Sequence, residues 1–272
     1  FLFQTTFTDA KFILNFAKTI NKPICIVSFP EPRTGGRLRL NSICGLNLGM
    51  HSLIKNNISP DFIIMESDAK VNKLSFSKFI ASSNDNENTS WNEATISNDQ
   101  IDFNYTIDKQ TIGIIGTRPE GFDTCDYDQD EVTNKLNVSL INLELDDLFE
   151  EAKNVNTETI VTTKKTISGY LQGTEDLVQD EFDKSISIYH GLESLKDKHN
   201  LDAFAIRCWP ETFTEYGCAS CGPMAMMNEK KVSCACEADV LGGISCNILN
   251  QMNDNPSLLV DIVDVDKADN SL

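Results

Sequence analysis

The stretch from Leu201 to Asp239 constrains the fold most strongly, because apolar runs of strand length alternate along it with loops that carry acidic residues. The apolar run Ala203–Cys208 predicts a buried strand, Pro223–Lys230 predicts a short Met-rich helix, and Val232–Cys236 predicts a second strand. Acidic residues follow each strand. An α/β sheet places its sites at the carboxyl ends of its strands, so this order predicts a site built from carboxylates.

Glu215 and Asp239 are the acids most suited to such a site. They are 24 residues apart, about one strand-to-strand repeat, so they could meet in space. Carboxylate oxygens suit hard divalent cations, and two neighbouring acids push their pKa values apart, which favours acid–base work. Glu237 is the near alternative to Asp239, because successive strand positions point in opposite directions. The competing interpretation is that these acids belong to a generally acidic surface.

The same strand–helix–strand order recurs along the chain and predicts the α/β class, with two consecutive parallel-sheet domains. Residues 1–107 form the first, N-terminally incomplete, with a polar excursion over 67–107. Residues 108–253 form the second and carry the acidic residues. Residues 254–272 supply a strand, Ser257–Val265, of a domain that the chain does not complete. The other predicted elements are helices over Thr8–Ile20, Ile43–Ile54, Asp128–Leu136, Asp146–Lys153, Glu175–His199 and Val240–Met252, and strands over Ile24–Phe29, Phe62–Met65, Ile112–Gly116 and Val138–Leu143.

Composition excludes several classes of protein. The net charge of −18 argues against a nucleic-acid binder, which needs a basic surface. The absence from the sequence of an apolar run of roughly 20 residues argues against a membrane span. Nine cysteines without a small-domain disulfide framework predict reduced thiols in a cytoplasmic protein. The chain begins at Phe1 without a signal-peptide pattern and ends at Leu272 soon after a strand pattern, so we expect it to be part of a longer protein.

Four cysteines offer a second possible site. Cys218-x-x-Cys221 followed by Cys234-x-Cys236 is close to the spacing of a four-thiolate zinc site, although the usual site repeats the two-residue gap. Small buried cysteines are the commoner alternative. The three histidines all fall on predicted helices, where a surface or hydrogen-bonded role is more usual than ligation.

The loop Arg33–Arg39 combines two glycines and three arginines before a predicted helix. Backbone amides and guanidinium groups suit a polar or anionic ligand, so Arg33 and Arg37 are candidate substrate contacts, and Trp209 is a third. An ordinary turn with solvated or interface arginines remains the alternative. The loop matches neither the Walker A nor the dinucleotide-binding pattern, so it does not support a nucleotide fold.

Three blocks, TGGRLRLNSICGLNLGMHSL, GTRPEGFDTCDYD and AIRCWPETFTEYGCASCGPMAMMNEKKVSCACEADVLGGIS, resemble the L-fucose isomerase-like family of sugar ketol isomerases. The resemblance implies two α/β domains followed by a β-barrel-like C-terminal domain, and conversion of an aldose into a ketose through a metal-stabilised cis-enediol. It implies Mn²⁺, or another divalent cation, bound by a Glu, an Asp and a His. Glu215 of TEYG and Asp239 of CEAD match the two acids. The family's histidine comes from the C-terminal domain, and no histidine follows His199.

The resemblance also implies a monosaccharide substrate and a homo-oligomer, trimeric or hexameric, in which the first domain covers a neighbour's site. The loop Arg33–Arg39 would then face a neighbour's substrate. The rival hypothesis is a non-catalytic module, either a zinc–thiolate interaction domain or a sugar-binding domain. Bound manganese lost on changing Glu215 favours the enzyme, and bound zinc held by four thiolates favours the rival.

Overall fold

A computed structural model describes residues 1–4, 10–20, 22–31, 40–84, 108–252 and 255–264 of the 272-residue chain. These residues form two compact units. The first contains the described residues within Phe1–Tyr105, together with Glu120–Thr124 and 261–264, and the second contains the described residues within Thr106–Pro119 and Cys125–Val260. Over the described ranges, no helix combines the length and the apolar character needed to cross a membrane.

The first unit contains a three-stranded parallel sheet. Its strands are β1 (Leu2–Phe3), β2 (Cys25–Ser28) and β3 (Asp61–Ile64), in the order β1-β2-β3, and its helices are α1 (Ala10–Thr19), α2 (Ser42–Lys55) and α3 (Ala69–Asn84). The central strand β2 is buried along its whole length, as its mostly apolar sequence favours, and Ile26 is fully buried there.

The second unit contains a four-stranded sheet with every pair of strands parallel. Its strands are β4 (Gln110–Ile115), β5 (Val138–Leu143), β6 (Ala203–Ile206) and β7 (Ser233–Ala235), and their order in the sheet is β5-β4-β6-β7. The helices are α4 (Gln129–Lys135), α5 (Leu145–Lys153), α6 (Thr157–Ser168), α7 (Gln179–His199), α8 (Cys221–Glu229) and α9 (Val240–Met252). Apolar side chains of α5, α7 and α8 form the core on one face of the sheet, and those of α4 and α9 form a smaller core on the other.

The predicted α/β class with parallel sheets is confirmed, and several details of the prediction are wrong. Residues 257–264 form no strand, although Ser257–Val265 was expected to form one. Helix α7 begins at Gln179, four residues later than the predicted helix Glu175–His199, so that Leu177 precedes it and is 50% exposed. Helices α3 and α6 were not expected. The β-barrel-like domain stays a prediction, and residues 85–107 of the polar excursion lie outside the described residues.

Candidate active site

The candidate site lies in the second unit, in the segments that leave the carboxyl ends of β4, β6 and β7. Because the strands are parallel and adjacent, these segments begin at one edge of the sheet. Gly116, directly after β4, adopts the left-handed conformation at φ 74°. A Cβ at this position would lie 3.0 Å from Cβ of Arg207, so glycine allows the segments after β4 and β6 to approach closely.

Arg207 joins these two segments. Its Nε donates to Oε2 of Glu211 at 2.7 Å, and its Nη1 donates to the carbonyl oxygen of Thr117 at 3.1 Å. The hydrogen bond from Arg207 holds the pKa of Glu211 below its ordinary value, so this acid stays charged. The pair therefore has a structural role, and the Glu211 carboxylate is occupied by Arg207.

Glu215 lies in the π-helical segment Thr212–Tyr216, and its side chain is exposed. The neighbouring ring of Tyr216 stacks on Phe149 with the ring centres 5.1 Å apart, which anchors the end of the segment in the core. Among the described residues, the Glu215 carboxylate has no hydrogen-bond or ion-pair partner. It is available to a ligand.

Asp239 directly precedes helix α9, and a three-residue turn separates it from the end of β7. Its Oδ1 accepts a hydrogen bond from the backbone N–H of Gly242 at 2.9 Å, as an N-cap residue does. Burial raises the pKa of Asp239 above its ordinary value, and the N–H groups of Gly242 and Leu241 oppose this shift. Asp239 is thus a half-buried carboxylate that protonates more readily than an exposed one.

The turn between β7 and Asp239 has an uncommon backbone. Glu237 and Ala238 both adopt left-handed conformations, at φ 60° and 50°, which non-glycine residues rarely do. The N–H of Ala238 donates to the carbonyl oxygen of Ile206 at 2.9 Å and ties the turn to β6. Such outliers concentrate at functional sites.

Trp209 follows β6 and contacts Glu237 across the edge. Its Nε1 donates to the two carboxylate oxygens of Glu237 at 2.9 and 3.1 Å, and the Trp209–Pro210 peptide bond is cis. The indole is therefore a positioning group for this carboxylate. Its suggested contact with substrate stays a prediction, and Arg33 and Arg37 lie outside the described residues.

The cysteines are not arranged as the four-thiolate hypothesis requires. Among the described residues, one group of three potential metal-binding side chains has its ligand atoms within 4.8 Å of one another: Cys208, Cys236 and Glu237. Cys218, Cys221 and Cys234 do not belong to it. The thiolate quartet is wrong because three of its four sulfurs lie outside the group of close ligand atoms, and Cys218 and Cys234 are buried among the apolar side chains of the core.

A cavity of about 590 Å³ lies elsewhere in the second unit, between α6, α7 and α8. Its lining is mostly apolar, and neither Glu215 nor Asp239 contributes to it. Because a sugar needs polar partners at its hydroxyl groups, this mostly apolar cavity matches a sugar poorly.

The sequence did not reveal the Arg207–Glu211 pair, the Trp209–Glu237 contact or the proximity of Cys208 to Cys236 and Glu237. The spacing of four residues between Arg207 and Glu211 was the one available signal, but it points to an ion pair only where the chain is helical. The contact between Trp209 and Glu237 depends on strand pairing and on a left-handed turn, and neither has a local sequence signature.

Exposed and half-buried carboxylates that follow adjacent parallel strands define the class of site: a carboxylate site at the carboxyl edge of an α/β sheet. The chain as a whole is similar to curated proteins named sulfoquinovose isomerase. It is 29% identical to the protein of Alkalicoccus urumqiensis over 98% of this chain and 56% of that protein. It is 26% identical to the protein of Priestia aryabhattai over 100% of this chain and 57% of that protein, and 25% identical to that of Clostridium sp. strain MSTE9 over 98% and 56%.

The chain therefore spans somewhat more than half the length of these relatives. No family model matches it.

Proposed function

We propose that the full-length protein is a sugar ketol isomerase that interconverts an aldose and a ketose, of the L-fucose isomerase-like kind. The observation that carries the proposal is the similarity of almost the whole chain to proteins named sulfoquinovose isomerase. The placement of Glu215 and Asp239 after adjacent parallel strands supports it. Sulfoquinovose, a sulfonated hexose, is accordingly the first substrate to test.

The two carboxylates fit a hard divalent cation by their chemistry. Glu215 is exposed and without a partner among the described residues, and the Asp239 carboxylate interacts with the backbone N–H groups of Gly242 and Leu241. Carboxylate oxygens of this kind are the ligands that Mn²⁺ and Mg²⁺ prefer. Glu215 and Asp239 would hold the cation, and the resemblance adds a histidine from a C-terminal domain. When bound, the cation would act as a Lewis acid on the oxygens of the sugar.

Asp239 is the better candidate for the base that moves a proton between C1 and C2 of the sugar. It is half-buried, and the N–H of Gly242 keeps its Oδ1 oriented. Glu215, whose side chain is exposed to solvent, would transfer the proton of the reacting sugar hydroxyl group. Arg207 would keep the segments after β4 and β6 in place beneath them.

The rival hypothesis, a module with four zinc-bound thiolates, has lost its structural support because Cys218 and Cys234 lie outside the group of close ligand atoms. A non-catalytic sugar-binding module would bind the sugar but would not convert the aldose into the ketose.

The test uses the full-length protein encoded by the reading frame that contains residues 1–272, loaded with Mn²⁺. Ketose formation is assayed with sulfoquinovose, L-fucose and L-arabinose. Because acid–base groups typically contribute about 10²–10⁴-fold to rate, Glu215→Gln and Asp239→Asn should each lower kcat/KM by that factor. Glu229→Gln, an exposed acid of α8, is the matched control and should keep wild-type turnover. Folded protein that binds the sugars without turnover would refute the isomerase and establish the binding module.

The arginine loop has its own test. Arg37→Ala should raise KM for sulfoquinovose more than for L-fucose, because only the anionic substrate would lose a charged contact with the guanidinium group. Equal increases for the two sugars would show that Arg37 does not recognise the anionic group.

A further inference from the structure

Two thiols and a carboxylate meet at the same edge of the second sheet. Cys208 lies two residues beyond β6, and Cys236 follows β7 directly, so the pairing of β6 with β7 brings the two thiols together. Together with a carboxylate oxygen of Glu237, their sulfurs form a group in which every pair of atoms is within 4.8 Å. Cys208 is 6% exposed, and the other two side chains are half-buried.

From this geometry we propose that Cys208, Cys236 and Glu237 bind a thiophilic divalent cation, Zn²⁺, with solvent as the fourth ligand. A tetrahedral zinc ion with Zn–S bonds of about 2.3 Å holds its sulfurs about 3.8 Å apart. The distances between the ligand atoms therefore need to shorten by no more than about 1 Å, which small changes of side-chain rotamer can achieve.

The donor set selects the metal. Two thiolates and one carboxylate suit Zn²⁺, whereas Mn²⁺ and Mg²⁺ prefer oxygen ligands alone. This set differs from that of Glu215 and Asp239, which contains no sulfur. The zinc site goes beyond the proposed isomerase and does not depend on it.

The carboxylate is oriented as a metal ligand usually is. Nε1 of Trp209 donates to both oxygens of Glu237, and the left-handed backbone of Glu237 and Ala238 fixes the direction in which the side chain leaves the chain. Partners that hydrogen-bond to a ligand typically change metal affinity by about 10- to 100-fold when they are lost. Trp209→Phe, which removes the N–H and keeps an aromatic ring, should weaken zinc binding by about tenfold or more.

The experiment uses full-length protein, reduced and stripped of metal by a chelator. Titration with Co²⁺, a spectroscopic substitute for Zn²⁺, should give a sulfur-to-cobalt charge-transfer band, and added Zn²⁺ should displace the cobalt and abolish the band. Cys208→Ala and Cys236→Ser should each abolish the band, and Glu237→Gln should weaken it. Cys218→Ala, another buried thiol, and Glu215→Gln should leave the band unchanged.

A reduced wild-type protein without the band refutes the site, as does a band that survives in both Cys208→Ala and Cys236→Ser. Should those variants fail to fold, the wild-type protein still decides the matter through alkylation followed by peptide mass spectrometry. Zn²⁺ should slow alkylation of Cys236 at least tenfold and leave that of the exposed Cys221 unchanged. Equal rates at Cys236 with and without Zn²⁺ overturn the proposal.

Discussion

Gly242→Ala should impair the site while leaving the stability of the fold almost unchanged. A Cβ at residue 242 would lie 2.6 Å from Oδ2 of Asp239 and 2.8 Å from Cδ2 of Leu259. Both contacts are with the ends of side chains, which can move without disturbing the backbone. To reach an ordinary separation, the Asp239 carboxylate must retreat by roughly 0.8 Å.

The expected magnitudes follow from that displacement. Loss of the N-cap bond from Gly242 to Asp239 costs about 1 kcal/mol, and replacing a helical glycine with alanine returns about 0.5–1 kcal/mol, so the two nearly cancel. A misplacement of about 1 Å at a catalytic group can cost about 100-fold in rate. We therefore expect Gly242→Ala to reduce kcat/KM by tens- to a hundredfold with a melting temperature close to that of the wild type.

Gly243→Ala is the matched control, one position along the same helix. A Cβ there would lie 3.0 Å from the backbone carbonyl oxygen of Phe204, in a strand held between β4 and β7. This contact cannot relax by rotation of a side chain, so we expect a net destabilisation of about 1–2 kcal/mol and a fall of several degrees in melting temperature.

The assay is ketose formation together with thermal unfolding, on full-length protein. If Gly242→Ala lowers the melting temperature as much as Gly243→Ala does, and retains wild-type kcat/KM, the assigned role of the Asp239 carboxylate and its contact with α9 is refuted.

Two further predictions concern stability. Because burial raises the pKa of Asp239 above its ordinary value of 3.8, the folded state is penalised at pH values above the raised pKa, and the penalty vanishes below the unfolded-state pKa. In metal-free protein, the melting temperature of Asp239→Asn should therefore equal or exceed that of the wild type at pH 7. The difference between the two melting temperatures should shrink on acidification towards pH 3.8, and a difference that grows contradicts the argument. The buried amide of Asn228 donates to the carbonyl oxygens of Met224 and Cys234 and accepts from the N–H of Cys234, so Asn228→Ala should lower the free energy of unfolding by about 2–4 kcal/mol in a urea titration. A loss below about 1 kcal/mol would mean that water replaces the amide.

The elements that the sequence predicted well are those whose burial matches their pattern. Strand Val138–Leu143 and helix Val240–Met252 have the predicted bounds, because turn residues flank the first and a core-facing apolar stripe marks the second. Helix α3 was missed because three of its large apolar residues, Val71, Leu74 and Ile80, are exposed and blur the helical period. Helix α6 was missed for the same reason, since it buries only Ile167 and is rich in threonine.

The candidate site divides in a similar way. The acids Glu215 and Asp239 could be assigned to the carboxyl edge because they follow strand patterns in the chain, and the structure has strands at both places. The contacts that hold the site together could not be predicted from the sequence. The contact between Trp209 and Glu237, for example, joins residues 28 positions apart and depends on strand pairing and backbone conformation. The thiolate quartet failed because C-x-x-C spacing describes sequence distance, whereas the fold directs Cys218 into the core.

The position of Asp239 is set by side chains more than by the sheet. Strand β7 has three residues at the edge of the sheet, so its backbone ladder to β6 is short. The side-chain amide of Asn228 in α8 makes the hydrogen bonds that a neighbouring strand would make: it donates to the carbonyl oxygen of Cys234 and accepts from the N–H of Cys234. Asn250 of α9 donates to Oγ of Ser233 at the beginning of β7, so the helix that follows Asp239 is fastened back to the strand that precedes it.

Two buried amides thus hold β7, that of Asn228 from α8 and that of Asn250 from α9. Because a strand held by few backbone bonds is otherwise free to shift, loss of either amide should displace Asp239 before it unfolds the unit. The buried asparagines are accordingly part of the machinery that keeps the carboxylate in place, although neither contacts it.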